Sequence, residues 1–134
     1  MDELSRIPPH HVEAEQSILG ALLIDRNALS EVSGRLKADA FYLEKHKEIY
    51  EAIMTLYEES QPVDIVTVSD VLAKRGTLEK VGDVDYIAHL SNSVLTTANI
   101  AHYVSIIEDK ALLRSLIRES GKIMDLSYQG TMEG

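Results

Sequence analysis

Along most of this chain apolar residues recur every three or four positions, the spacing of one face of an α-helix. Pro8 and Pro9 stand just before such a segment, where proline suits a first helical turn. From Val12 to Ile24 the inward positions are Ile18, Leu19, Leu22 and Leu23, and Glu13, Glu15 and Gln16 come early, where acids complement the helix dipole. A second helix is predicted from Arg26 to about Leu36, with Ala28, Leu29, Val32 and Leu36 inward. Ala38 to Tyr42 makes a compact turn holding Phe41, the one phenylalanine of the chain. A third helix runs from Lys45 to Glu59, with Ile49, Ile53, Leu56 and Tyr57 on one stripe, and ends at Gln61 and Pro62. Val63 to Thr67 is β-branched enough to suggest a strand on propensity alone. It reads better as an extended lead-in, because Thr67 and Asp70 have the spacing of a capping box. The helix they open carries Val71 and Leu72 and stops at Gly76. A turn region follows from Thr77 to Gly82, then a fifth helix from Val84 to Val94 carrying Ile87 and Leu90.

The last element says most. From Thr97 to Tyr128 there is no proline and a single glycine, Gly121. As one helix, these ~32 residues would extend about 48 Å, more than a domain of this size needs to close its own core. Its apolar positions form three tracks: Ile100, Val104, Ile107 and Ala111; Tyr103, Ile106, Leu113, Ile117 and Met124; and Leu112, Leu116, Ile123 and Leu126. A helix apolar over so wide an arc is covered on several sides, and the short polar tail after Ser127 offers no cover. The second half is therefore expected to be buried by something outside the chain, with Leu116, Ile117, Ile123 and Met124 foremost and Leu112 and Leu113 next. The competing reading packs the same residues onto the preceding helices. The predicted architecture is all-α: an N-terminal extension (1–11), a compact helical head (12–95), a long helix that would begin a hairpin (96–128) and a truncated tail (129–134).

Composition narrows the function. The 134 residues suit one domain, and 45% hydrophobic with 26% charged residues is ordinary for a globular chain. Cysteine is absent, which excludes disulfides, thiolate metal sites and a cysteine nucleophile and fits a reducing cytosol. No apolar run approaches the ~18 residues of a membrane span, and the polar, acidic start is not that of a signal peptide. A net charge of −9 is a poor match to phosphate backbones, which Lys and Arg must neutralise, so little direct DNA binding is expected.

Catalytic chemistry is missing. The one Gly-Lys pair, Gly121 and Lys122, is followed by Ile123 and has Leu116 where a phosphate-binding loop needs its first glycine. His10, His11, Glu13 and Glu15 form the sole histidine–acid cluster, but adjacent histidines point apart along a helix; a polar helix start outweighs a metal site there. No catalytic, cofactor or metal residue is assigned. Lys110, Arg114, Arg118 and Lys122 repeat at intervals of four on the long helix. Like charges so placed repel; they form either a solvated face eased by Glu108, Asp109 and Glu119, or a surface for an acidic partner.

One string follows no generic helix rule: Pro8, Pro9, His10, then Glu13, Ala14, Glu15, Gln16 and Ser17, then Leu19, Gly20, Ala21, Leu22 and Leu23. With Phe41, Tyr42, His46, Ile49, Pro62, Asp64, Thr67, Leu72, Tyr86, Leu90 and the Ala98 to Tyr103 stretch, it resembles the N-terminal domain of DnaB-type replicative DNA helicases over residues 7 to 127. It departs at Asp83, where that family often has a second glycine, and at Ala40, where it often has an acid. The family continues with a second hairpin helix, a linker helix and a RecA-like ATPase domain, none of which this chain contains.

The resemblance implies an assembly and docking role. Six such domains form a collar above the motor ring as a trimer of dimers, and the collar docks the primase C-terminal domain and, in some bacteria, a helicase loader. The expected partners are other copies of the chain and primase, in the cytoplasm. ATP and magnesium are expected only in the ATPase domain. Glu13 and Tyr86 are polar-tipped positions that match the family, and they are candidates for facing a partner or the ring lumen. The alternative is a helicase-like accessory domain that competes for replication partners.

Overall fold

The computed structural model describes residues 6–94 and 96–130. The first five residues of the expected extension, Leu95 at the end of the expected head and residues 131–134 of the expected tail lie outside them. The described residues form α1 (Val12–Ile24), α2 (Arg26–Ser33), a 3-10 turn (Ala38–Ala40), α3 (Glu44–Glu58), α4 (Ile65–Lys74), α5 (Asp83–Ser93) and α6 (Ile100–Gln129), with no strand among them.

α1 is the central helix. It packs against α5, α6, α3 and α2. Ala14, Ile18, Leu19, Leu22 and Leu23 are all buried, so the usual solvated face is missing over much of its length. His11 caps its start by accepting from the Ala14 backbone N–H at 3.0 Å. Gly20 lets α5 approach: a Cβ there would lie 2.3 Å from the carbonyl oxygen of Leu90 and 2.4 Å from Val94 Cγ2. Asp25 ends α1 and caps α2, accepting from Asn27 N–H at 2.9 Å.

α2 stops at Ser33, three residues short of the predicted end, with Gly34 as its C-cap. Leu36 is nonetheless buried, carried in by a turn in which its N–H bonds the Val32 carbonyl. Phe41 is buried against Tyr50, their ring centroids 4.9 Å apart.

The extended lead-in is shorter than expected: Asp64 is extended, but Ile65 to Thr67 are already helical. The Asp64 carboxylate accepts from Thr67 N–H at 2.9 Å, and the Thr67 hydroxyl accepts from Asp64 N–H at 2.9 Å. The capping box is thus Asp64 with Thr67, one turn before the predicted Thr67–Asp70 pair, and Ile65, Val66 and Thr67 are the first helical turn. The propensity deficit of β-branched residues is only a few tenths of a kcal/mol each, less than the ~1 kcal/mol a good cap contributes. Asp70 pairs with Lys74 instead, at 3.0 Å.

α6 packs on α1, α2 and the 3-10 turn over its first half only. Ile100, Val104 and Ile107 are buried, and every residue from Leu116 to Gly130 is exposed.

Candidate functional site

Two features stand out: a buried polar clasp inside the head, and an uncovered apolar face on α6. The clasp begins with Glu15 on α1 and His46 on α3, 1% and 0% exposed. Leu43, the N-cap of α3, offers no side-chain acceptor. Glu15 supplies it from across the fold, its carboxylate accepting from Tyr42 N–H at 2.7 Å while its other oxygen meets His46 Nδ1 at 2.7 Å. A carboxylate at a helix N-terminus also complements the dipole. A carboxylate oxygen accepts, so Nδ1 is the donor in that contact. His46 Nε2 then accepts from the Tyr86 hydroxyl at 2.6 Å, whose oxygen accepts from Gln16 Nε2 at 3.2 Å. The chain of donors is complete, which is what burial requires. Its residues face one another rather than a cavity, so the arrangement holds α1, α3 and α5 in register.

The distal half of α6 is the opposite case. Leu112, Leu113, Leu116, Ile117, Ile123 and Met124 are between 43% and 59% exposed, and Leu126 and Tyr128 continue the face. At about 100° per residue, these side chains and Ser120 fill one half of the helix circumference. Arg118, Lys122 and Asp125 stand on the other half. The buried residues of the first half, Ile100, Val104 and Ile107, lie on that charged side. The apolar stripe therefore changes sides of the helix near Arg114, and its distal part faces away from the direction in which the head is packed. Its root borders a hollow of about 490 Å³ lined by Arg6, Pro9, Leu113, Leu116, Ile117 and Met124. So many large apolar side chains on one contiguous face are unusual on the surface of a single soluble chain.

The DnaB-like helicase N terminal domain family matches residues 7–109. The chain belongs to that family. It is 43% identical over 123 residues to the replicative DNA helicase DnaC of Bacillus subtilis (strain 168), a match covering 92% of the chain and 27% of that relative. It is 38% identical over 128 residues to the replicative DNA helicase DnaB of Leifsonia xyli subsp. xyli (strain CTCB07), covering 96% of the chain and 28% of the relative. The chain thus spans little more than a quarter of the length of these two relatives. The crystal structure of the N-terminal domain of DnaB helicase from Mycobacterium tuberculosis superposes with a TM-score of 0.91 at 38% identity, covering 96% of this chain and 91% of that one. The N-terminal domain of DnaB helicase from Helicobacter pylori, studied with its interactions with primase, shares the fold: TM-score 0.72 at 19% identity, covering 96% and 99% of the two chains.

The string that carries the DnaB resemblance most densely is the one that builds the joints. Glu15 and Gln16 make the clasp, and His11, an unmatched position within the string, caps α1. His10 stacks on Tyr42 at 4.2 Å with its Nδ1 2.7 Å from the Pro8 carbonyl. In the histidine–acid cluster of the sequence, His10 and Glu15 both engage Tyr42, by ring stacking and through its backbone N–H, while His11 turns to the Ala14 N–H. Glu13 is exposed, as its predicted partner-facing role would need. Tyr86 is half-buried, its hydroxyl turned inward to His46 and its ring under the Lys45 ammonium at 4.0 Å. Within the row of four cations, Arg114 turns inward to the carbonyls of Pro9 and Ala40, whereas Lys122 pairs with Glu119 at 3.2 Å, as on a solvated face. Sequence reasoning missed the Glu15–His46 pair because the two residues belong to different helices and neither breaks a local pattern.

Proposed function

We propose that this chain is the assembly and docking domain of a hexameric replicative DNA helicase, contributing to the collar of the ring and binding primase. The observation that supports this most is the apolar half of distal α6, from Leu112 to Met124, which is exposed to solvent and opposes a charged half. A face of this kind is stable in water when another helix covers it. The stripe is therefore the self-association surface, and residues 12–95 and 96–128 act as head and arm. The interactions with primase studied for the Helicobacter pylori domain support the same docking role here. Nucleotide hydrolysis, with its ATP and magnesium, belongs to the ATPase domain of the helicase, so this region works without a cofactor in the cytoplasm. Among the described residues no helix is long and apolar enough to cross a membrane.

Light scattering of the chain across concentration, with and without a primase C-terminal domain, tests this. Self-association that Ile117→Asp or Ile123→Asp abolishes, together with a primase complex, is the expected result. Concentration-independent monomers that ignore primase would overturn it.

A further inference from the structure

Two guanidinium groups bind α6 to the head just before the helix runs free. Arg35, beyond α2, grips Glu108 through both carboxylate oxygens, at 2.5 and 3.2 Å, and donates to the Ser105 hydroxyl at 3.1 Å. Arg114 lies six residues further along and about 120° around the helix from Glu108. It takes no carboxylate partner among the described residues. Its fork donates at 2.7 Å to the Pro9 carbonyl, before α1, and at 2.7 Å to the Ala40 carbonyl, at the end of the 3-10 turn. Its guanidinium carbon stands 5.5 Å from the centroid of the Tyr42 ring, on which His10 also stacks. Neither carbonyl lies inside an α-helix, so Arg114 satisfies two acceptors that no helical ladder serves.

We propose that Arg114 is the positioning residue of the head–arm joint: by tying the segment before α1 and the 3-10 turn to one point on α6, it sets the direction in which the apolar half of that helix leaves the head. The packed apolar face ends here, since Ile107 is the last buried residue of α6 and every residue from Leu116 to Gly130 is exposed. Arg35 and Arg114 hold α6 at two heights and two azimuths, which limits both tilt and roll. The leverage is large: about 15 residues, or roughly 22 Å, lie beyond Arg114, so a tilt of roughly 10° displaces the end by about 4 Å. Lysine cannot substitute, because a single ammonium lacks the planar fork that spans two carbonyls and stacks on an aromatic ring.

The chain contains no cysteine, so paired labels can be introduced freely. Spin labels at Glu31→Cys and Asp125→Cys report the angle between head and arm, and labels at Glu31→Cys and Glu58→Cys report the head alone. Both are measured with labelled chain diluted in unlabelled chain, so that copies do not cross-talk. The head–arm distance is expected to be narrow with Arg114 in place and to broaden or shift by about 4 Å or more in Arg114→Met, the displacement of a roughly 10° tilt, while the head pair stays unchanged. Arg114→Lys is expected to behave like Arg114→Met, and it decides the matter if the methionine variant loses its helical circular dichroism. An unchanged head–arm distribution in the folded variant overturns the proposal. The distance readout is independent of whether the stripe binds another copy or primase.

Discussion

The carboxylate of Glu15 and the imidazole of His46 meet at 2.7 Å across 31 residues of sequence, in a part of the head where both side chains are almost wholly withdrawn from water. The pair closes the N-terminus of α3, which has no cap of its own, and leads through Tyr86 to α5. A buried carboxylate is tolerated because backbone and ring N–H donors converge on it.

Glu15→Ala removes the acceptor and leaves the Tyr42 N–H and the Nδ1 of His46 unpaired. The expected loss is about 3 kcal/mol, the cost of breaking a buried, hydrogen-bonded pair. Glu15→Gln keeps one acceptor oxygen but turns an amide donor toward other donors, so an intermediate loss is expected. Urea unfolding followed by circular dichroism measures both. A shift under about 0.5 kcal/mol, the range of ordinary surface changes, would rule out the clasp as a structural joint.

Gly20→Ala tests the crossing of α1 and α5. The added methyl would meet the Leu90 carbonyl oxygen at 2.3 Å and Val94 Cγ2 at 2.4 Å, and the former is backbone that cannot rotate away. Although alanine is the better helix former, overpacking costs of about 1–3 kcal/mol are expected to win. The thermal midpoint should fall. A rise would mean that α5 moves aside without cost.

Tyr50 makes stability sensitive to alkali. Its hydroxyl donates to the Leu36 carbonyl at 2.8 Å, and burial pushes its pKa up to about 12. A phenol whose pKa is raised in the folded state contributes stability that is full below the ordinary value near 10. That contribution is lost as pH climbs from there through about 12. A loss of the order of 2 kcal/mol across that window is expected. In Tyr50→Phe the alkaline slope should flatten, while stability at neutral pH drops by about 1 kcal/mol for the missing hydrogen bond. Denaturant titrations at stepped pH separate the two.

Aspartate in the stripe should leave the head untouched. Leu116→Asp and Ile117→Asp fall on exposed positions, so at dilution their unfolding free energies should stay within about 0.5 kcal/mol of the parent. Leu19→Ala, in the core, should cost about 2–5 kcal/mol. Equal losses at both places would mean that α6 packs on the head after all.

Periodicity, with cap and glycine signals for α4, was enough to locate each described α-helix, because each buries a stripe that repeats with the helical turn. It misplaced the start of α4. Val63 to Thr67 has strand-like side chains, and only the reciprocal bonds of Asp64 and Thr67 show that the helix begins with Ile65. Local propensity is weak beside a satisfied cap and a buried Val68. The exposed stripe was legible as an excess of apolar positions on the long helix, since a surplus beyond one face can be counted without coordinates. The density of the DnaB signature was legible too, but not its purpose.

Family membership, the all-α class and the overlong final helix are properties of residue order, because both motif and period lie along the chain. What Glu15, His46 and Tyr86 do together, and why Arg114 is not the surface charge its spacing suggests, was decided by packing. Hydrogen bonds act over about 3 Å, and residues tens of positions apart come within that reach only after the helices have docked. The sequence could specify which groups need partners; the tertiary arrangement chose which partner each one found.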